Sequence, residues 1–406
     1  MSRLPEQFLW GTAVAAHQVE GGNVNSDCWA LEHASPSVFV EPSGAACDHW
    51  NRYEEDIALV AQFGLNAFRF SVEWARVEPE PGVFSTAALD HYARVVDACR
   101  ELSIVPVVTF HHFTQPRWMA ALGGFAARDF PARFAAYCAR AARAFDGIGL
   151  ACTINELNLP VSAAAYFQSR ASDAHRAAAQ VALGAPLDAF FLFTPADAIL
   201  GNGLEAHRLA REAIRAERVE VPVGMTLAIS EETADPGIED RRDARRERFY
   251  APFLDAACND DFVGVQTYAR THSRADGSGP LPGAPVTTMG WEDRPLAIGA
   301  VCQWIGSRWN VPLIVTENGY PGFDDARREV FITTALAGVR SAMADGADVR
   351  GYFYWSLLDN FEWMLGYRQR FGLVEVQADM RRAPKRSARS YRSQLFLNSC
   401  PDLDVR

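Results

Sequence analysis

Two glutamates close apolar runs that look like buried strands. In "PLIVTENGY" (312–320) Glu317 follows Leu313-Ile314-Val315, and in "LACTINE" (150–156) Glu156 ends the run behind Asn155. One carboxylate at a strand end is more often a surface or ion-paired group than a reactive one. Two that face a single pocket are the equipment of glycoside hydrolysis, in which one carboxyl must be charged and the other protonated. Other run ends add fitting groups. Gln18 follows the first run, Arg69 lies in the second, and His111-His112 end the third. Gln266 and Tyr268 end the sixth, Trp355 lies in the eighth, and "DNFEW" (359–363) brings Glu362 and Trp363 shortly after. Hydrogen-bonding groups beside aromatic faces suit a pyranose, whose hydroxyls ring its rim and whose C–H groups cover its faces. Neighbouring strand residues point to opposite sides, so only one of His111 and His112 can face the pocket.

These residues need elements to bring them together. Eight strand-like runs are legible: 8–15, 66–72, 105–112, 150–156, 223–229, 262–268, 313–319 and 351–357. Helix-like segments lie between them, among them 51–63, 86–102, 131–145, 203–217, 323–345 and 385–396. The first of these repeats apolar residues at Ile57, Val60 and Ala61 and stops near Gly64, as a capped helix does. Strands without polar alternation are buried on both faces, as in a parallel sheet. Alternation of strand and helix with no Gly/Ser-rich linker predicts one α/β domain over residues 1–406, a closed (β/α)8 TIM barrel. An open doubly wound sheet is the rival, and no GxGxxG follows the first strand to favour it. Segments 157–195 and 230–240 read as irregular loops over the barrel mouth. Barrel active sites gather at the C-terminal ends of the strands, so Glu156 and Glu317 are expected to open onto one mouth.

The bulk properties narrow the class. The chain has 406 residues, 49% hydrophobic and 22% charged, with net charge −11. That balance gives ample core material and argues against nucleic acid or an anionic membrane as partner, since both reward basic patches. No run of about 18 apolar residues suggests a membrane span, and the first residues carry no apolar signal core. The eight cysteines (28, 47, 99, 138, 152, 258, 302 and 400) are scattered, without CxxC or zinc spacing. Reduced thiols in a cytoplasmic protein are expected, with no metal among the site residues. Asp27, Asp48 and His49 are read as loop or capping residues. Trp118 and Trp291 each either line the pocket or pack a helix.

Nine ordered pieces span nearly the whole chain: "FLWGTAVAAHQVEG", "FRFSVEWARVEP", "TFHHF", "TINE", "DFVGVQTY", "VTENG", "YFYWSLLDNFEW", "RFGLVEV" and "PKRSARSY". Together they resemble glycoside hydrolase family 1, the β-glucosidase-like retaining enzymes. The resemblance implies Glu317 as nucleophile and Glu156 as acid/base. It implies that Gln18, His112, Asn155, Glu362 and Trp363 hold the hydroxyls of the cleaved sugar and that Trp355 forms the floor beneath it. Arg69 and Tyr268 would contact the nucleophile, and Phe371 would wall the pocket near the sugar's C6 group. The implied partner is a small β-glycoside, with no cofactor and no metal.

Three departures from that family stand out. Leu157 follows Glu156 where the family usually has Pro. Gln266 stands where Asn is usual, two residues before the Tyr, and its longer amide would shift contacts near the sugar's O2 or the catalytic water. The chain is also shorter than most members, which would open the aglycone side. Members acting on 6-phosphorylated sugars carry a small polar residue at the position of Glu362, so that substrate class is disfavoured. The expected activity is hydrolysis of terminal β-glucosides, with galactosides or fucosides tolerated. The alternatives are transfer of the sugar to an alcohol acceptor and a catalytically silent carbohydrate-binding protein. Oligomeric state is not legible.

Overall fold

The computed structural model describes residues 4, 5 and 7–399. Eight parallel strands close into a barrel: β1 (Leu9–Ala13), β2 (Ala67–Ser71), β3 (Val105–His111), β4 (Leu150–Ile154), β5 (Val223–Ala228), β6 (Phe262–Gln266), β7 (Leu313–Asn318) and β8 (Val349–Trp355). Each strand pairs with its neighbours in chain order, and β1 pairs with β8 to complete the ring. The expected (β/α)8 architecture is therefore borne out, and each strand falls within or against the run that predicted it.

The missing polar alternation has a direct cause. Ala67, Val107, Cys152, Phe262, Ile314 and Phe353 meet in one cluster that fills the barrel's interior. Their neighbours Phe68, Val108, Ala151, Val263, Val315 and Tyr352 belong to the larger core between sheet and helices. Both faces are apolar because both are covered. Among the helices, His49–Gln62 buries Tyr53, Ile57 and Val60 and ends at Phe63, with Gly64 at φ 73° continuing the chain. That left-handed backbone is open to glycine at no steric cost. Thr86–Glu101 starts on Ser85, whose hydroxyl accepts from the Ala88 N–H. Asp325–Ala344 starts on Asp324 in the same way.

Two segments depart from the expected loops. Residues 157–195 are mostly helical, with Leu159–Ser162, Ala164–Ser169 and Asp173–Leu183. Their alanine content favours helix over coil, and Ser172 caps the last of them. In 230–240, Glu231–Ala234 pairs with Arg270–Arg274, which pairs with Gly277–Gly279 to form a small separate sheet. Its first two strands are charged, the third is Gly-Ser-Gly, and ion pairs such as Arg245–Glu232 and Arg294–Glu231 hold the sheet, so no apolar run announced them. Of the three residues read as loop or capping groups, Asp48 stands in the loop at the N-cap position of His49–Gln62, while Asp27 and His49 are the first residues of their helices. Ser26, not Asp27, caps the helix Asp27–Glu32. The Asp48 side chain makes no cap bond, and His49 hydrogen-bonds Asp56 at 2.7 Å.

Seven cysteines are unpaired, all buried but Cys258; Cys400 lies outside the described residues. No helix among the described residues is long and apolar enough to cross a membrane.

Candidate active site

Strand register sets the positions of the polar groups. Ala13 of β1 lies beside Arg69 on one side and Trp355 on the other, and Gln266 of β6 lies beside Glu317 of β7. Above the apolar plug the interior turns polar. Arg69, fully buried, donates from Nε to Thr109 Oγ1 (3.0 Å), from Nη2 to Asn155 Oδ1 (2.5 Å) and from Nη1 to Glu317 Oε1 (2.5 Å).

Glu317 points inward because β7 is irregular. Ile314 packs in the interior and Val315 in the outer core, so strict alternation would send Glu317 outward. The register slips between Val315 and Glu317, as a bulge does when it re-aims a side chain. Asn318 then faces out, where Tyr352 donates to its Oδ1 and its own Nδ2 donates to the Thr267 carbonyl.

Three donors converge on the Glu317 carboxylate. Besides Arg69, Gln266 Nε2 reaches Oε1 at 2.9 Å and the Tyr268 hydroxyl reaches Oε2 at 2.7 Å. Glu156 differs. Its backbone sits at φ 46°, a left-handed conformation uncommon for a non-glycine residue and frequent at functional sites. Its N–H donates to Thr226 Oγ1 (3.1 Å), but among the described residues no donor reaches its carboxyl. Burial pushes both carboxyls above the usual range. For Glu317 the Arg69 charge and the bonds from Tyr268 and Arg69 oppose that push. For Glu156 the charge of Glu317 adds to it, and this carboxyl is raised further. The site thus separates a carboxylate held by donors from a carboxyl held protonated.

With this geometry in view, the profile of the family described as Glycosyl hydrolase family 1 matches residues 1–258 and 256–399. The chain belongs to that family. Thermostable beta-glucosidase B of Thermobispora bispora is 33% identical over 97% of this chain and 91% of its own length. A 1,4-beta-D-glucan glucohydrolase of Thermotoga neapolitana is 30% identical over 93% of this chain and 98% of its own. Among solved structures, beta-glycosidase BGL167 superposes with a TM-score of 0.92 at 46% identity, covering 96% of each chain. Beta-glucosidase 1317 gives 0.90 at 40% identity, over 95% of this chain and 98% of that one. This family 1 chain is a retaining β-glycosidase.

The other residues singled out in the sequence lie around the same cavity, of about 460 Å³, which is lined by Gln18, His112, Glu156, Gln266, Tyr268, Glu317, Trp355, Glu362, Trp363 and Phe371. Asn155 lies just beneath, its Oδ1 accepting from Arg69, Thr226 and Gln266 while its Nδ2 donates to His112 Nε2 (3.1 Å). Gln18 Nε2 donates to the Phe361 carbonyl and to Glu362 Oε2. His112 stacks on Trp355 and Trp363, and burial holds it well below the usual imidazole range, so its ring is neutral. Burial, then the charge of Glu317, pushes Glu362 up to about 8. Buried Gln18 Oε1, His112 Nδ1 and Gln266 Oε1 have no hydrogen-bond partner. Unpaired buried groups are costly, and these three belong to residues that line the cavity. His111 turns away into a cage of Phe125, Phe134 and Phe191. Trp291 lines the cavity beside Tyr268 and Phe371. Trp118 instead packs on Trp74 and donates to the Glu78 carbonyl.

Sequence reasoning missed Thr226, which holds both Asn155 and the Glu156 N–H; its signal was a lone hydroxyl in the middle of "VGMTLAI". It also missed the wall residues of 157–195, which carry no polar signal. It detected no metal-ligand spacing, yet the fold brings His17, Cys28 and Glu32 together with ligating atoms within 4.8 Å. All three are buried; His17 hydrogen-bonds Asn23 and Glu32 and stacks on Trp363. Burial raises the Cys28 thiol well above its usual range, so the three are engaged as packing and hydrogen-bonding groups behind the pocket.

Proposed function

We propose that the enzyme cleaves terminal β-linked glucosyl residues, with galactosyl or fucosyl accepted, from small glycosides, with Glu317 as nucleophile and Glu156 as acid/base. The supporting observation is the unequal environment of the two carboxyls: three donors on Glu317 and, among the described residues, none on Glu156. Carboxylate Glu317 attacks the anomeric carbon while Glu156 gives its proton to the departing oxygen, and the glycosidic bond breaks. Glu317 is then a neutral ester, and the repulsion that added to burial in keeping Glu156 protonated is gone. Glu156 takes a proton from the incoming water, which attacks the same carbon and frees Glu317. Gln18, His112, Asn155, Glu362 and Trp363 hold the sugar's hydroxyls, with Glu362 accepting from O4 and O6. Such bonds favour the ionised form of Glu362, so sugar binding draws its proton off. Trp355 lies under the ring, and Phe371 walls the C6 side. A cytoplasmic location belongs to the same reading, supported by the unpaired thiols.

A 2-fluoro glycoside tests the assignment. Peptide mapping should find the label on Glu317. Azide should rescue Glu317→Gly as the α-glycosyl azide and Glu156→Ala as the β-azide. A label on Glu156, or an α-azide from Glu156→Ala, reverses the roles.

A further inference from the structure

We infer that the outer half of the pocket is built for a bulky apolar aglycone and not for a second sugar, an inference that rests on the β-glucosidase reading above. The acid that protonates the leaving oxygen fixes the side on which the aglycone departs, and that acid is Glu156. The chain directly after Glu156 supplies the wall there: Leu159, Tyr166, Phe167 and Leu192 line the cavity, joined by Phe113 and Leu365. Phe167 is buried against Phe193 and Tyr166. Tyr166 is 43% exposed, yet its ring is held in place. Arg170 lies 4.8 Å over the ring and donates to the Tyr166 hydroxyl at 3.1 Å. An aromatic face fixed at the rim by a cation, with its other surroundings open, offers contact area at little conformational cost.

The charged groups of the opposite wall are already engaged, and its remaining hydroxyls are those of Ser230 and Thr271. Arg245 pairs with Glu232 and reaches Ser278, and Arg270 pairs with Glu292. A glucose in this half would set most of its hydroxyls against apolar side chains and against charges that face each other, with few hydroxyl partners to meet them. An alkyl, aryl or terpenoid alcohol loses nothing there, since it has no hydroxyls left to satisfy.

The test compares kcat/KM for methyl, hexyl and 4-nitrophenyl β-glucoside and for cellobiose. Methyl and hexyl alcohols leave with similar ease, so their ratio reports aglycone contact. Each buried methylene is worth about fourfold. Hexyl glucoside should exceed both methyl glucoside and cellobiose by at least about tenfold. Tyr166→Ser should lower the hexyl-to-methyl ratio, and the exposure of Tyr166 lets that variant fold. If 4-nitrophenyl glucoside is turned over but the hexyl-to-methyl ratio stays under about threefold, or cellobiose is preferred, the inference is overturned while the glucosidase reading stands. No turnover of any of the four sinks the glucosidase reading and the inference with it.

Discussion

At the scale of single residues, the site works by holding two similar carboxyls in unlike surroundings. The Tyr268 hydroxyl favours the charged form of Glu317. Removing it in Tyr268→Phe should raise the pKa of Glu317, which, with Glu317 as the proposed nucleophile, moves the acidic limb of the kcat/KM profile to higher pH. A hydrogen bond to a charged group is worth about 1.5–3 kcal/mol, so kcat/KM should fall by at least tenfold. An unmoved acidic limb would show that Tyr268 does not tune Glu317. Glu362 makes a separate prediction, about stability. Its carboxyl titrates near an ordinary 4.5 when unfolded and is pushed up to about 8 in the folded protein. Between those values the unfolded chain holds fewer protons, so stability falls as pH rises through the window. Glu362→Gln should flatten that part of the slope, measured by urea unfolding at several pH values from 5 to 8. An unchanged slope would place the cause elsewhere.

At the scale of elements, the strand ends carry the irregularities that aim the chemistry. The β7 bulge turns Glu317 inward, and the left-handed backbone of Glu156 comes directly before Leu157. Leu157 is fully buried and faces Gly203, where a Cβ would lie 3.0 Å from its Cδ1. The residue that replaces the usual proline is therefore packed into the core. Gly319, the last residue of the "TENG" stretch, has a similar reason. A Cβ there would lie 2.0 Å from the Trp355 carbonyl oxygen, so β7 and β8 approach too closely for any side chain. Gly319→Ala should push the ends of these strands apart and shift Glu317 against Trp355. Misplacement of about 1 Å costs on the order of 100-fold in rate. A kcat within about threefold of the native value, far short of that loss, would mean that the strands part without disturbing the site.

At the scale of the whole molecule, the barrel must close between its first and last strands, and the C-terminal helix Arg386–Ser399 lies on that seam. The Tyr391 hydroxyl, fully buried, meets the Gly11 carbonyl of β1 at 2.9 Å and the Tyr352 carbonyl of β8 at 3.1 Å. Tyr391→Phe removes this tie without opening a cavity. It should cost about 1–2 kcal/mol in urea unfolding while kcat/KM stays near native, because the seam lies outside the polar layer of the pocket. Unchanged stability would show that the two carbonyls are satisfied without it.

Much of this was legible in the residues themselves. The eight strands were readable because their side chains are apolar on both faces, and that pattern depends only on sequence. Glu317 and Glu156 were readable because each ends such a run, and a barrel gathers strand ends at one mouth. The sheet of Glu231–Ala234 was not legible, because ion pairs with distant arginines hold it and those pairings exist only once the chain has folded. The helices of 157–195 were hidden by an alanine-rich stretch with little apolar periodicity to find. The direction of Glu317 is the sharpest case. Alternation counted from Ile314 points it out of the barrel, and only the slipped register of β7 against β6 turns it in. A slip is a property of two paired strands, so no single stretch of sequence could contain it. In the same way Thr226, Asn155 and Gln266 become one hydrogen-bonded group only across three strands, and Tyr166 becomes a pocket wall only once the segment after Glu156 has folded. Sequence determined which residues could do the chemistry; closure of the barrel decided which of them face one another.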